Sequence, residues 1–479
     1  MLPKQKFRQV KLFVVLSSLA LLPLLGTSFS ASAASDPTRL FGWGDSYAAG
    51  LGGVESSGDD DPIPAHLPVE VDLSTGLLAG KTITSMSSGD QFTCAVADGK
   101  AYCWGREDVG SLGDGNETDS AFPVAVSTSG VLSGKTVTKI AAGDDTVCVI
   151  ADGKAYCWGN GEYGRLGNGS ELGFSSVPVE VDTSGVLSGK TITDIAVGDE
   201  HTCAIAGGKA YCWGGNNLGQ IGDNSQANRL TPVAVDDSGA LSGKTVTDIS
   251  VGDEFTCAVA SGKAYCWGEG DVGKLGNDAV EDKSTPVAVS TAGVLAGKTV
   301  TAIANGDDHA CAIAGGKVYC WGENESGQLG GHDGDYKTSP FAVKTDGVLS
   351  GKKITAIDSN TLGETTCALS SDGKLFCWGE DDLGSLGDGE IEITAAKTGL
   401  EGPVAVDFSG IEGEVKLTGF SVGDEHVQAI TGGLIEEESQ SESEGEALPD
   451  TGSPVSLWLI AASLASIAIG VGAWRRQTS

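Results

Sequence analysis

The sequence predicts an all-β fold: a seven-bladed β-propeller of four-stranded blades, closed by pairing of its N- and C-terminal strands. Three observations predict it. First, Trp-Gly recurs with Trp at 43, 104, 158, 213, 267, 321 and 378, a period near 54 residues, and a fixed period of this length marks a repeat architecture. Second, each unit holds short β-branched or alternating runs, as in PVAV, TVTDISV, TCAVA and KAYCW within 230–276. Gly, Asp and Ser bound these runs and no helical periodicity runs through them, which fits four-stranded blades rather than a helical solenoid. Third, the two ends are complementary halves. LFGWGDSYAAGLG (40–52) has no hairpin before it, and VGDEHVQAI (422–430) has no Trp-Gly after it. Pairing them in one composite blade leaves no open edge strand, so the count is seven.

Composition agrees with one repeated array spanning 34–433 rather than three unlike domains. The chain has 479 residues, 72 Gly, 12 Cys and a formal net charge of −35, yet 40% of its residues are apolar. The apolar share excludes a disordered acidic polymer. The charge argues against nucleic acid and anionic lipid as partners, since both are approached through Lys/Arg patches.

The twelve cysteines fall as six pairs: Cys94 with Cys103, Cys148 with Cys157, Cys203 with Cys212, Cys257 with Cys266, Cys311 with Cys320, and Cys367 with Cys377. Counting outward from the two-residue turn at Asp98-Gly99 sets Cys94 opposite Cys103 at a non-hydrogen-bonded site. There Cα atoms lie about 4.5 Å apart, within disulfide reach. The next four pairs share this spacing, and a three-residue loop at 371–373 restores it for the sixth. The composite blade is expected to carry Val427 and Gly42 at these two levels, both partners missing together. Six disulfides within hairpins are therefore expected. Zinc, the alternative, wants C-x₂₋₄-C spacing and a convergent second pair.

The segment W-G-x-x-x-x-G-x-[LI]-G, as at Trp213–Gly222, resembles the regulator of chromosome condensation repeat family, and the match recurs from Leu40 to about Gly433. The resemblance implies a seven-bladed propeller closed by mixed terminal strands. It does not bring guanine-nucleotide exchange or chromatin binding to this chain, because one fold hosts unrelated functions.

The ends set the expected compartment. Residues 1–33 run from a basic stretch through an apolar run (12–25) to Ala31-Ser32-Ala33, the order of a secretory signal peptide rather than a retained anchor. No twin-Arg pair is present within 1–33, so general secretion is the expected route. At the other end, the motif Leu448, Pro449, Asp450, Thr451 and Gly452 (448–452) precedes an apolar span (454–474) and a basic tail (475–479). Alone the span, a hydrophobic helix in the precursor, says only membrane anchor, with its Arg pair on the cytoplasmic side. The whole order resembles a cell-wall sorting signal. That implies cleavage by a sortase between Thr451 and Gly452, and transfer of the Thr451 carboxyl to a peptidoglycan amine. Loss of Lys4, Lys6, Arg8, Lys11, Arg475 and Arg476 would deepen the charge from −35 to −41. Between ring and motif, 434–447 reads as an acidic, disordered linker reaching at most about 50 Å. The expected location is a bacterial cell wall, surface exposed, with membrane contact only through the precursor's span.

Candidate functional residues lie in the loop before each Cys-bearing strand: Asp90; Asp144 and Asp145; Asp199 and Glu200; Asp253 and Glu254; Asp307 and Asp308; Asp424 and Glu425. Equivalent positions in rotationally related blades share a face, so six blades build an acidic ring and an insertion at 359–364 interrupts it in the sixth. The ring reads as a face for cations or a basic partner, or alternatively as a solvated rim. The D-x-D-x-D-G spacing of a dedicated Ca²⁺ loop is absent. The repeated Trp are read as inter-blade packing rather than carbohydrate platforms. Specificity is expected in the less repetitive loops 54–68, 116–122, 171–176, 223–230, 278–284, 331–338 and 390–401.

No catalytic, cofactor or metal site is read. The His at 66, 201, 309, 332 and 426 are scattered, three of them at one repeat position, and neither G-x-S-x-G nor H-E-x-x-H occurs. The expected function is non-enzymatic: a monomeric propeller, anchored at the surface, that presents one face to an extracellular protein or glycan. A surface enzyme inhibitor or hydrolase, and a passive coat protein, are the alternatives.

Overall fold

The computed structural model describes residues 38–45, 65–171, 173–381, 383–390 and 402–432. The signal peptide, linker, sorting motif, apolar span and tail lie outside these residues, as do 54–64, 172 and 391–401 of the variable loops. Among the described residues no helix is long and apolar enough to cross a membrane.

Seven four-stranded antiparallel sheets form, six of them in consecutive strand order. We number the blades 1 to 6 as 83–125, 137–180, 192–234, 246–288, 300–342 and 354–405. Blade 7 joins 419–431 to 39–71. Its order is Gly419–Val422, His426–Thr431, Arg39–Gly44, Ala65–Val71, the predicted composite closure. The first strand of every blade touches the first strand of the next around a full circle, blade 7 against blade 1 included. These strands line a central cavity of about 270 Å³.

Both faces of each sheet are covered by a neighbouring blade, so second strands such as Phe92–Ala97 are buried at every residue. The apolar core is divided into clusters at the seven blade interfaces. One joins Cys148 and Ile150 of blade 2 to Ile192 and Trp213 of blade 3, and two others join blade 7 to blades 6 and 1. The ring therefore carries its own core and closes on itself. Polar side chains of the first strands tie blades together: Ser87 Oγ accepts from the Ala142 amide at 2.9 Å, and Asp248 accepts from the Ile303 amide at 2.9 Å.

The Trp and Gly of the repeat are one device. The indole N–H groups of Trp158, Trp213, Trp267, Trp321, Trp378 and Trp43 donate to a loop carbonyl of the preceding blade at 2.8–2.9 Å. A glycine with φ near +65° lies beside the same indole: a Cβ on Gly167 would come within 2.6 Å of Trp213 Nε1, and one on Gly222 within 2.6 Å of Trp267 Nε1. The seven Trp are almost wholly buried, so they pack blades and offer no platform.

All six expected disulfides form. Cys94 is bonded to Cys103, Cys148 to Cys157, Cys203 to Cys212, Cys257 to Cys266, Cys311 to Cys320 and Cys367 to Cys377, with Cα–Cα distances of 4.0–4.1 Å. No cysteine is free, which leaves none for zinc. In Asp98-Gly99 both turn residues have positive φ, the two-residue hairpin that sets this register. One expectation needs correction. In blade 7 it is Gln428, not Val427, that faces Gly42 at the cysteine level, while Val427 faces Trp43. The cysteine level falls five residues after the loop Gly in blades 1 to 5, as from Gly198 to Cys203, and five residues after Gly423 is Gln428.

Candidate functional site: two faces of opposite chemistry

Each G-D-[DE] loop joins the first strand of a blade to the second, and each Trp-Gly ends the third strand at the same edge, as His201 opposite Gly214 shows. All these loops, and the described variable loops from third to fourth strand, therefore open on one face. The eleven predicted acids lie there, and none is fully exposed. The half-buried setting is at odds with a freely solvated rim. Burial first, then neighbouring carboxylates, raises the Asp144, Asp253 and Asp424 carboxyls to about 8. The same causes raise Asp307 to about 7 and Asp145 to about 6, and push Asp90 and Glu200 upward too. The repulsion passes from blade to blade: Asp144 feels Asp90 and Asp199, and Asp253 feels Asp199 and Asp307. In blade 6, counting back from Cys367 puts Gly363 at the first acid position and Glu364 at the second.

Sequence reasoning missed a second set of acids. Asp45, Glu269, Glu323 and Glu380 stand two residues after the repeated Trp, a position that could have been read from the repeat itself. Burial and the charges of Asp308, Glu364, Glu325 and Asp307 lift Glu323 to about 7. Two buried bases answer the acids. Arg165 reaches Asp199 at 3.3 Å. Lys274, 1% exposed, reaches Glu269 at 2.5 Å, Asp271 at 3.2 Å and also Asp308. Burial alone would lower the Lys274 ammonium, but these carboxylates outweigh it and hold it above its usual value. Carboxylate oxygens of Glu269, Asp271 and Asp308 lie within 4.8 Å of one another. The place a metal ion would take among them is filled by this ammonium.

His201, His309 and His426 are fully buried, and each bonds a Thr hydroxyl of the next blade: Thr256 at 2.7 Å, Thr366 at 2.6 Å and Thr93 at 3.0 Å. Burial lowers them to about 3, 4 and 4. They are neutral blade ties. The acidic face also carries the exposed aromatics Phe122, Tyr163, Phe174 and Tyr336, at 43–62% exposure, on or beside the variable loops.

The opposite face is different. Hairpin turns begin their third strands with Lys100, Lys154, Lys209, Lys263 and Lys317. The connectors into the first strands of blades 1 to 6 each supply a further lysine, whose ammonium sits 5.5–6.0 Å from a ring of the third strand, as in Lys135 over Tyr156, Lys190 over Tyr211 and Lys298 over Tyr319. Thr431, which pairs with Arg39, ends its strand at this lysine face.

A profile of the RCC1-like domain matches residues 25–361. The human E3 ubiquitin-protein ligase HERC2 is 30% identical over 356 residues, covering 73% of this chain but 7% of HERC2. The Ultraviolet-B receptor UVR8 of Arabidopsis thaliana is 31% identical over 359 residues, covering 73% of this chain and 75% of UVR8. Among solved structures, human WBSCR16 superposes with a TM-score of 0.66 at 21% identity, over 83% of this chain and 100% of that one. Prp20p of Saccharomyces cerevisiae, described with its binding to Gsp1p and histones, gives 0.67 at 19% identity over 84% and 92%. The last two share the fold. On the profile match and the identity with UVR8 along most of both proteins, the chain belongs to the RCC1-like domain family of β-propellers.

Proposed function

We propose that this protein is an exported, sortase-anchored bacterial surface protein whose acidic face binds a basic extracellular protein. One observation carries the choice of face: the acidic ring, the variable loops and the exposed aromatics coincide there. Interfaces are centred on aromatic anchors and steered by complementary charge. A protein partner is the class its relatives suggest, since Prp20p is described as binding Gsp1p and histones. The anchoring reading rests on the order of motif, apolar span and Arg pair at 448–476. A chain tethered through its C-terminus would leave the ring beyond Thr431, at the lysine face.

Crosslinking on living cells, followed by pull-down through the anchored protein, tests the binding reading. A saturable basic partner is expected, lost on Asp144→Lys with Asp253→Lys. Binding indifferent to those reversals sinks it. Anchoring is tested separately by mass spectrometry of wall digests. The expected product is Thr451 joined to a peptidoglycan amine, and Thr451→Ala should leave the chain out of the wall fraction.

A further inference from the structure

We propose that the lysine face holds a binding site for an anionic group carried on a glycan, seated in the crevice between Lys263 of blade 4 and Lys298 of the connector into blade 5. The crevice, about 190 Å³, has Lys263, Lys298 and Thr291 around an aliphatic floor of Val289, Leu295 and Val300, and no acid lines it. Neither lysine makes an ion pair among the described residues. The related crevice one blade earlier, about 300 Å³, is lined by Lys190, Lys209 and Lys244 and has Asp237, paired with Lys209, where this one has Thr291. Elsewhere on this face Lys81 pairs with Asp98 and Lys352 with Asp372. Lys298 enters blade 5, where the turn residue at the place of Asp98 is Gly315, and Lys263 meets Thr291 at the place of Asp237, so both ammonium charges there are uncompensated.

Chemistry and size select the ligand. Pockets for whole small molecules run from about 300 to 1,000 Å³, so this one seats a single sugar ring or charged group of a longer chain. The aliphatic floor suits the apolar face of a pyranose, and two ammonium groups suit its sulfate, phosphate or carboxylate. No aromatic side chain lines the crevice, which disfavours single-stranded nucleic acid, held by base stacking. The net charge of −35 does not forbid a polyanion here. A six-residue strand separates the faces by about 20 Å, roughly two Debye lengths at physiological salt. This site is independent of the acidic-face reading, and its test involves neither that face nor the anchor.

The closed ring, residues 34–433, is titrated by calorimetry with a sulfated glycosaminoglycan hexasaccharide. Saturable binding that weakens between about 50 and 200 mM salt is expected. Lys263→Glu with Lys298→Glu should lower affinity at least tenfold with melting unchanged. Lys190→Glu with Lys209→Glu, in the neighbouring crevice, should change it less than twofold. The desulfated hexasaccharide should not bind, and inorganic sulfate at equal charge should not displace the ligand. Absence of binding, equal loss in both double variants, displacement by sulfate, or tighter binding to phosphatidylserine vesicles would each overturn the proposal.

Discussion

The indole N–H of Trp213 donates to the carbonyl of Arg165 at 2.9 Å, and Gly167 closes against the same ring. A tryptophan of blade 3 is thus held by a backbone turn of blade 2. Gly167→Ala meets two costs, a φ of +65° and a contact with the indole, and should destabilise by about 2–4 kcal/mol. Gly189→Ala, at φ +70° with open space around it, should cost only about 1 kcal/mol. Urea midpoints of the two variants check the difference.

Lys274→Met removes the ammonium from Glu269, Asp271 and Asp308. Breaking a buried pair by deleting one partner costs about 3–5 kcal/mol. The loss should be largest at pH 8 and shrink towards pH 5, where Glu269, its carboxyl raised by burial, takes up a proton more readily.

Stability should fall as pH rises above 6.5. An Asp raised from 3.8 to about 8, as at Asp144, Asp253 and Asp424, binds its proton more tightly folded than unfolded. Its effect is absent below 3.8 and grows more unfavourable to the fold up to about 8, since stability declines wherever the native state holds more protons. The buried His, lowered from 6.5 to about 3 or 4, act oppositely and only below 6.5. Melting temperature at low salt should therefore drop between pH 6.5 and 8.5. Asp144→Asn with Asp253→Asn should flatten that drop, and added salt should reduce it by screening. A rise across this window would contradict the ring's assigned charge state.

Blade 7 lacks a staple, and Gly42→Cys with Gln428→Cys should supply one, because these residues face each other at the level of Cys203 and Cys212. The chain-entropy relation makes a loop of this length nominally worth about 6 kcal/mol, less any strain. Intact mass would show the seventh bond, and a higher melting temperature without reductant would show its effect.

Much of this was legible in the sequence because the repeat multiplies each signal. Facing of Cys94 and Cys103, the count of seven and the composite closure all follow from register and period. Val427 was put at the cysteine level one residue too early, an error that the pairing of Gly42 with Gln428 exposes and that a count of five residues from Gly423 would have avoided. The acids were legible as residues but not as a half-buried, mutually raised set. That state depends on ring curvature bringing Asp90, Asp144 and Asp199 into one field. The tryptophan clasp was hidden because its acceptor is a backbone carbonyl, which leaves no side-chain signature. The lysines were present in every unit, yet the net charge concealed that they collect on one face.

The mixed closure of blade 7 also decides how the molecule answers a mechanical load. His426–Thr431 lies between Gly419–Val422 and Arg39–Gly44 and pairs with both. Tension applied beyond Thr431 would pull this strand lengthwise and load both of its ladders in shear, so they resist together instead of unzipping one bond at a time. The strand under tension is in the blade with Gly42 and Gln428 where the others have a disulfide. Traction would therefore open the ring at this seam first, while the six stapled hairpins keep their register.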